Sequence, residues 1–542
     1  MAESRTPPRG GARPQWDPRH QACAEALTLK GERVERSLIG LLEEADGLRS
    51  VSGSTPGEQV ALLEYLLAIC YASETYPQSN ADWRSWVEGS QSLGQAAQWL
   101  ARRPEDEIWD LFHPTEPLGQ NSLLAPYLDQ RGAGPAQVVI EHSGDYNLLF
   151  DHHHLEHPQL LSPAEAFRAM LTQHVYGPAG RARISGKETL GPTITNLAVG
   201  RLSGRIRVLA LGSTLGETLR LNLMPSADLP GEFNRSWTVG KQARRGFRTK
   251  PEGRPVSGPA DLHSALGRSI LMRPTVVPES GEVMVDRVLM GAGELLSLQT
   301  VHLQDAVYAR TVQGIKKPLW PSAARAFWRD AHALYAAVKD AEKPNHADRR
   351  VDLYGRLALF PGPDALRGPD SPPVRRIQLW AVGLVAKQAT AITWVSGVFP
   401  FAPGMGAVLC HASSRGSAVA EYVATSLGRA AYAAWEIAYP NPKPSDQSGQ
   451  IARFDARWRH WEAAEDPFRI LLEETAAREP VERCLLDYAS TLTDQARGFL
   501  TKSLDSLPRN SQGFQARAAA LRRFEDELAS PKAPAELHGE KA

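Results

Sequence analysis

Along this chain the spacing of apolar residues changes character twice, and each change marks a different kind of structure. Near the start, the apolar run Val60 to Ile69 follows Thr55 as an N-cap, Pro56 at the first helical position and Glu58 in the capping-box position, which predicts a core helix. From about Pro117 to Arg310, short apolar stretches such as Ile206 to Leu211 alternate with frequent Gly and Pro, the texture of strands and long loops. After roughly Gly404, Gly and Pro thin out and apolar residues recur every three or four positions until Pro531. Four helices are predicted there. One carries Val419, Tyr422, Val423 and Leu427; a second Phe454, Trp458 and Trp461; a third Leu485, Tyr488 and Leu492; a fourth Phe514, Leu521 and Phe524. The breaks, at Pro440 to Ser448, around Glu479-Pro480 and at Pro508 to Gln512, are short and favour antiparallel neighbours. The expected fold is α+β: a large mixed domain over residues 16–403, then a C-terminal four-helix bundle over 404–530. Residues 1–15 and 531–542, rich in Pro, Gly and charge, are expected to be disordered tails.

The most informative local stretch is residues 162–186. Ser162 caps, Pro163 sits at the first helical position, Glu165 closes a capping box, and Phe167, Met170, Leu171 and His174 share one face before Gly177 ends the helix. The loop that follows, Gly177-Pro178-Ala179-Gly180, has almost no side chains, and Arg181, Arg183 and Lys187 stand beside it. Such a loop reads either as a bare backbone that approaches another surface between phosphate contacts, or as a solvated turn after a helix cap.

Charge narrows the options. Lys plus Arg and Asp plus Glu balance at 61 each, so attraction to nucleic acid must come from local patches. The clearest basic run is Lys241 to Lys250 with Arg254 close behind, a phosphate-tracking loop or a solvated one. Cys23, Cys70, Cys410 and Cys484 are far apart and form no C-x-x-C pair, which argues against a disulfide framework or zinc ribbon and fits a cytoplasmic protein. No apolar run reaches the ~18 residues of a membrane span.

Asp151, His152, His153, His154, Glu156 and His157 raise metal binding. His153 and His157 have the spacing of two ligands on a helix turn, but Pro158 interrupts it and no third ligand motif is near, so a solvated or partner-facing loop is the alternative.

Several runs, taken in order, resemble the CasA family, the large subunit of the type I-E CRISPR complex Cascade. They are Phe112-His113-Pro114, Pro117-Leu118 with Gln120, Asn147 to His152, Pro163 to Ala166, the Gly177 to Gly180 loop, Gly212 to Met224, Pro259 to Leu262, Pro318 to Pro321 and Lys387-Gln388-Ala389. The resemblance ends in the helical bundle and covers nearly the whole chain. It implies a DNA-reading subunit with no catalytic residues and no cofactor. The N-terminal domain would recognise the protospacer-adjacent motif of double-stranded target DNA from the minor groove and begin separating the strands. Phe150, Asp151 and His152 would contact the motif and the rest of the complex; Gly177, Pro178, Ala179 and Gly180, with Arg181, would form the glycine loop; Gln388, with Lys387 and Ala389, would be the wedge. Implied partners are CRISPR RNA, the subunits CasB, CasC, CasD and CasE, and the helicase-nuclease that degrades the target.

Two departures accompany the resemblance. Some relatives carry cysteine pairs that look like metal ligands, whereas this chain has Pro278 to Glu282 in the corresponding turn, so no zinc is expected. The family's lysine finger has Arg310, Lys316 and Lys317 as candidate matches. Two other classes stay open on residues alone: a metal-dependent hydrolase built on Asp151 and His152 to His157, and a purely structural helical scaffold.

Overall fold

The computed structural model describes residues 13–102, 108–142, 159–178, 199–226, 229–237, 253–298, 308–310, 316–342, 353–361, 377–387, 390–440 and 443–541. Helix and sheet are mixed, as the α+β expectation requires. The chain forms two compact units. One comprises residues 1–324, 348–359 and 377–397; the other comprises 325–347, 360–376 and 398–542. The second unit therefore holds the C-terminal helices and also gathers segments that precede residue 404.

The first unit is organised around the Pro56–Ala72 helix. Thr55 caps it by accepting from the Glu58 backbone N–H at 3.3 Å, with Pro56 at its start. The Glu58 carboxylate does not complete a capping box; it accepts from Ser54 Oγ at 2.6 Å and from Arg168 Nε at 2.6 Å. Val60 to Tyr71 are all buried, so this helix is surrounded and has no solvent face. Its one buried acid, Glu64, meets three partners. Arg207 Nε donates to Glu64 Oε1 at 2.8 Å, His263 Nδ1 lies 2.6 Å from Oε2, and Arg201 pairs with Oε2 as well. Burial alone would raise the Glu64 carboxyl, but Arg201, Arg207 and His263 outweigh it and hold the group well below the usual carboxylate range.

Three sheets belong to the same unit. Ala24–Thr28 lies between Arg33–Arg36 and Leu48–Ser52. Arg268–Val276 pairs with Val283–Ala292, and the turn between them is the Pro278 to Glu282 segment, where Gly281 takes a positive φ of 71° that favours glycine. Ile377–Lys387 is the centre of a third sheet, between Thr390–Phe401 and Ile206–Leu211, in the register Gln378 to Leu211 through Gly383 to Ile206.

In the second unit, the Gly406–Ala438 helix packs against Glu465–Ala476, Val481–Ser503 and Ser511–Leu528, which completes the four-helix bundle. The expected second helix is broken into Gln447–Ala452, Arg457–Ala463 and Glu465–Ala476. Phe454 is buried in the turn between the first two pieces, but Trp458 is 60% exposed and Phe514 is 63% exposed, so neither is part of the bundle core. Trp461 lies 6.1 Å from Trp328, with the Arg329 guanidinium 3.7 Å above its ring. The expected disordered C-terminal tail is folded in part. Ala535–Lys541 forms a 3-10 segment, and Arg415 donates to both oxygens of Glu536 at 2.7 and 2.6 Å, a fork that fixes it. At the other end, Arg13 donates to Asp110 at 2.9 Å and Trp16 is buried; residues 1–12 lie outside the described residues.

Candidate nucleic-acid interface

The Pro163–Tyr176 helix is capped as its sequence predicts. Ser162 Oγ accepts from the Glu165 backbone N–H at 3.3 Å, and the Ser162 N–H donates to Glu165 Oε2 at 2.8 Å. Its C-terminal turn is held by His174, whose Nε2 donates to the Gly119 carbonyl at 2.8 Å while Nδ1 accepts from the Arg268 backbone N–H at 3.3 Å. Burial pushes His174 down to about 4, against the Gly119 bond and with help from the Arg268 charge, so the ring is neutral.

The structure corrects the first half of the glycine loop. Gly177 and Pro178 are buried, not free to lie against a duplex. Gly177 donates to the Gln173 carbonyl at 2.9 Å, and its own carbonyl accepts from Gly200 at 2.9 Å. Glycine is needed there for space. Its φ is an ordinary −44°, but a Cβ would stand 2.5 Å from Gln173 O and 3.0 Å from Arg268 Nε. The Arg268 guanidinium donates to Pro178 O and, at 3.2 Å, to Gly267 O. Burial brings Arg268 down to about 10, which leaves it a cation at neutral pH. Ala179, Gly180, Arg181, Arg183 and Lys187 lie outside the described residues, as do Phe150, Asp151, His152 and the following histidines to His157.

The candidate wedge sits at the tip of the hairpin made by Ile377–Lys387 and Thr390–Phe401. Leu379 to Leu384 are buried, Val385 is half-buried, and Ala386 and Lys387 are exposed, so packing fades toward the tip. Gln388 and Ala389 lie outside the described residues. Two tryptophans stiffen the hairpin. Trp380 Nε1 donates across it to Ser396 Oγ at 2.9 Å, and Trp394 Nε1 donates to Glu141 Oε1 at 2.6 Å.

Arg310, Lys316 and Lys317 come together in one short antiparallel pair, Tyr308–Arg310 with Lys316–Pro318. Arg310 is opposite Lys316, and Ala309 is opposite Lys317. The basic run Lys241 to Lys250 lies outside the described residues, but Arg254 is accounted for. It donates to both oxygens of Asp261 at 2.7 Å and to Glu294 at 3.0 Å. Burial would lower Arg254, but Asp261 and Glu294 more than offset it and raise the group, which makes this arginine a structural cation and corrects its reading as a phosphate contact.

Sequence reasoning missed Arg268 and Trp394, whose partners are distant in the chain, and it missed Glu64, which a lone acid inside an apolar run could have signalled. It also missed a cavity of about 310 Å³ lined by His174, Arg201, Arg205 and Glu294 among others. Among the described residues no group of three or more His, Cys, Asp or Glu side chains is arranged to hold a metal ion, and no helix is long and apolar enough to cross a membrane.

Comparison with known proteins gives one consistent result. Residues 26–499 match the family of CRISPR-associated protein Cse1. The CRISPR-associated protein CasA/Cse1 of Thermus thermophilus is 27% identical over 390 residues, 70% of this chain and 69% of that protein. The crystal structure of Cse1 from Acidimicrobium ferrooxidans superposes with a TM-score of 0.70 at 20% identity, covering 96% of this chain and 98% of the other. A chain of a CRISPR RNA-guided surveillance complex does so with a TM-score of 0.63 at 20% identity, covering 95% of this chain and all of the other.

Proposed function

Because the chain belongs to the CRISPR-associated Cse1 family, also called CasA, we propose that it is the large subunit of a type I-E RNA-guided surveillance complex, reading the protospacer-adjacent motif and opening the duplex beside it. The observation that carries this reading is the hairpin. At its base Leu379 to Leu384 are buried in a three-stranded sheet, and Ala386 and Lys387 at the far end of that strand are exposed, which is the build of a stiff lever.

A minor groove about 6 Å wide admits backbone and small side chains, so Ala179 and Gly180 suit it where a bulky loop would not. Reading there separates mainly A·T from G·C, which makes the accepted motif a set of variants. Opening one base step costs ~1.4 kcal/mol of stacking, and the planar amide of Gln388 offsets part of that by packing and hydrogen bonding against the exposed pair. Arg310, Lys316 and Lys317 supply candidates for a cation in the groove, and Phe150, Asp151, His152 and Arg181 for contacts around it.

The remaining sequence is read by CRISPR RNA pairing, in an assembly with CasB, CasC, CasD and CasE. The bundle faces the CasB pair, and the opened complex docks the helicase-nuclease, which makes the cut; this chain supplies recognition and no catalysis, in the cytoplasm. The test is a gel-shift series on the assembled complex with intact and scrambled motif duplexes. Motif-dependent binding is expected, and equal binding to both duplexes overturns the reading in favour of a structural scaffold.

A further inference from the structure

Gly57, in the first turn of the Pro56–Ala72 helix, leaves a slot. A Cβ built there would overlap the outer carbons of the Trp394 indole, so the ring occupies the space a side chain would take. The indole N–H donates to Glu141 Oε1 at 2.6 Å, and the ring meets Tyr176 edge to face at 4.8 Å and 86°. One side chain on the hairpin thus touches three other elements at once.

What those contacts adjoin is the point. Glu141 belongs to the Ile140–His142 turn, directly before the stretch that carries Phe150, Asp151 and His152. Tyr176 is the last residue of its helix, directly before Gly177 and the glycine loop. Trp394 itself lies four residues beyond Thr390, so the hairpin runs on for ~13 Å past the anchor to reach its tip. The roots of three of the elements assigned to DNA contact, the two loops and the hairpin, meet on this indole. A hairpin held only at its sheet would transmit little of what the two loops bind; a hairpin pinned to their roots moves with them.

From this arrangement, and resting on the function proposed above, we infer that Trp394 is a positioning residue that links motif reading by the two loops to strand opening by the hairpin tip. It touches no DNA. It fixes the distance and angle between the groove-reading loops and the wedge, so that a duplex seated on the loops presents its next base step to Gln388. Because the bond to Glu141 and the edge contact to Tyr176 come from one rigid ring, loss of either changes that angle without removing a DNA contact.

The experiment uses the assembled complex and two duplexes, with intact and with scrambled motif, carrying 2-aminopurine at the first base step. Equilibrium binding reports motif reading, and the fluorescence rate reports opening. With Trp394→Ala, the preference for the intact motif is expected to stay within about twofold while opening slows about tenfold. Trp394→Phe keeps a smaller ring on the Tyr176 side, loses the bond to Glu141 and withdraws the outer carbons from the Gly57 slot, and is expected to slow opening by an intermediate amount. In a Gln388→Ala background, Trp394→Ala is expected to add little, because both act on one step. Opening rates within about twofold of the parent for both Trp394 variants, in complexes that assemble and prefer the intact motif, overturn the inference and leave the proposed function standing. Additive losses with Gln388→Ala overturn it too. If Trp394→Ala does not assemble, Trp394→Phe and Glu141→Leu, which removes the acceptor of the indole N–H, decide it by the same split. An unsubstituted complex with no motif preference removes the functional reading, and this inference with it.

Discussion

A side chain on residue 177 would meet the Gln173 carbonyl 2.5 Å from its Cβ, with the guanidinium of Arg268 packed close by at 3.0 Å. Ninety-one positions separate Arg268 from Gly177 in sequence, yet the donor on Pro178 O and the missing Cβ on Gly177 are two halves of one joint at the end of the Pro163–Tyr176 helix. Gly177→Ala should therefore act on stability. We expect a loss of about 1–3 kcal/mol, as for overpacking a filled interior, read as a lower urea midpoint of the purified chain. An unchanged midpoint would mean that the end of the helix shifts freely to make room.

Glu64 makes a second prediction. Replacing it with Leu leaves Arg201 and Arg207 buried without their carboxylate, at a cost of about 3–5 kcal/mol. Its depressed titration also sets a pH dependence. The stabilisation is complete above the ordinary value of 4.5 and is lost as pH falls below it, because the unfolded carboxyl takes up its proton first. Urea midpoints followed from neutral pH into acid should fall more steeply for the parent chain than for Glu64→Gln.

His174 titrates with the same sign at a higher pH. The folded ring resists protonation down to about 4 while the unfolded one accepts a proton near 6.5, so stability is full above 6.5 and drains away between the two values. At ~1.36 kcal/mol per pH unit that gap amounts to about 3 kcal/mol. Removing the imidazole in His174→Leu should flatten the stability curve between 6.5 and about 4. A parent curve already flat in this window would show that the ring is protonated in the fold.

At the wedge, Gln388→Ala should slow opening of an intact-motif duplex severalfold, less than the roughly tenfold that equals one whole stacking step of ~1.4 kcal/mol, with complex assembly unchanged. Stopped-flow 2-aminopurine fluorescence reads the rate, and size-exclusion chromatography reads the assembly. Equal rates would take Gln388 out of the site.

Local signals were legible and distant ones were not. Ser162, Pro163 and Glu165 declare their helix because a capping box needs only neighbours three residues apart. Thr55 and Pro56 do the same for the core helix, although Glu58 turns instead to Ser54 and Arg168, a partner 110 positions away. Periodicity found the long bundle helices but overran at Phe454, where an apolar spacing continues through a turn and leaves Trp458 in solvent. The short run Gly177 to Gly180 looked uncluttered because nothing in its own sequence mentions Arg268. Likewise, nothing near Trp394 names Gly57, Glu141 or Tyr176, and a tail rich in Pro and charge does not reveal that Arg415 waits for Glu536. Several runs that carry the family resemblance are interior struts: Gln120 bridges Leu111 and Met272 at 2.6 and 2.8 Å, and Asp261 receives Arg254.

The interleaving of the two units governs how the chain can be made and cut. Among the described residues Ile206–Leu211 pairs with Ile377–Lys387 alone in its sheet, so this strand must wait through more than half of the remaining synthesis for that partner. Meanwhile residues 325–347, which belong with the later helices, have already left the ribosome. A protein shortened to its first 324 residues would carry a raw apolar edge at Val208 and Ala210, a template for aggregation, and neither unit can be cut out as one continuous piece, because the chain visits them alternately.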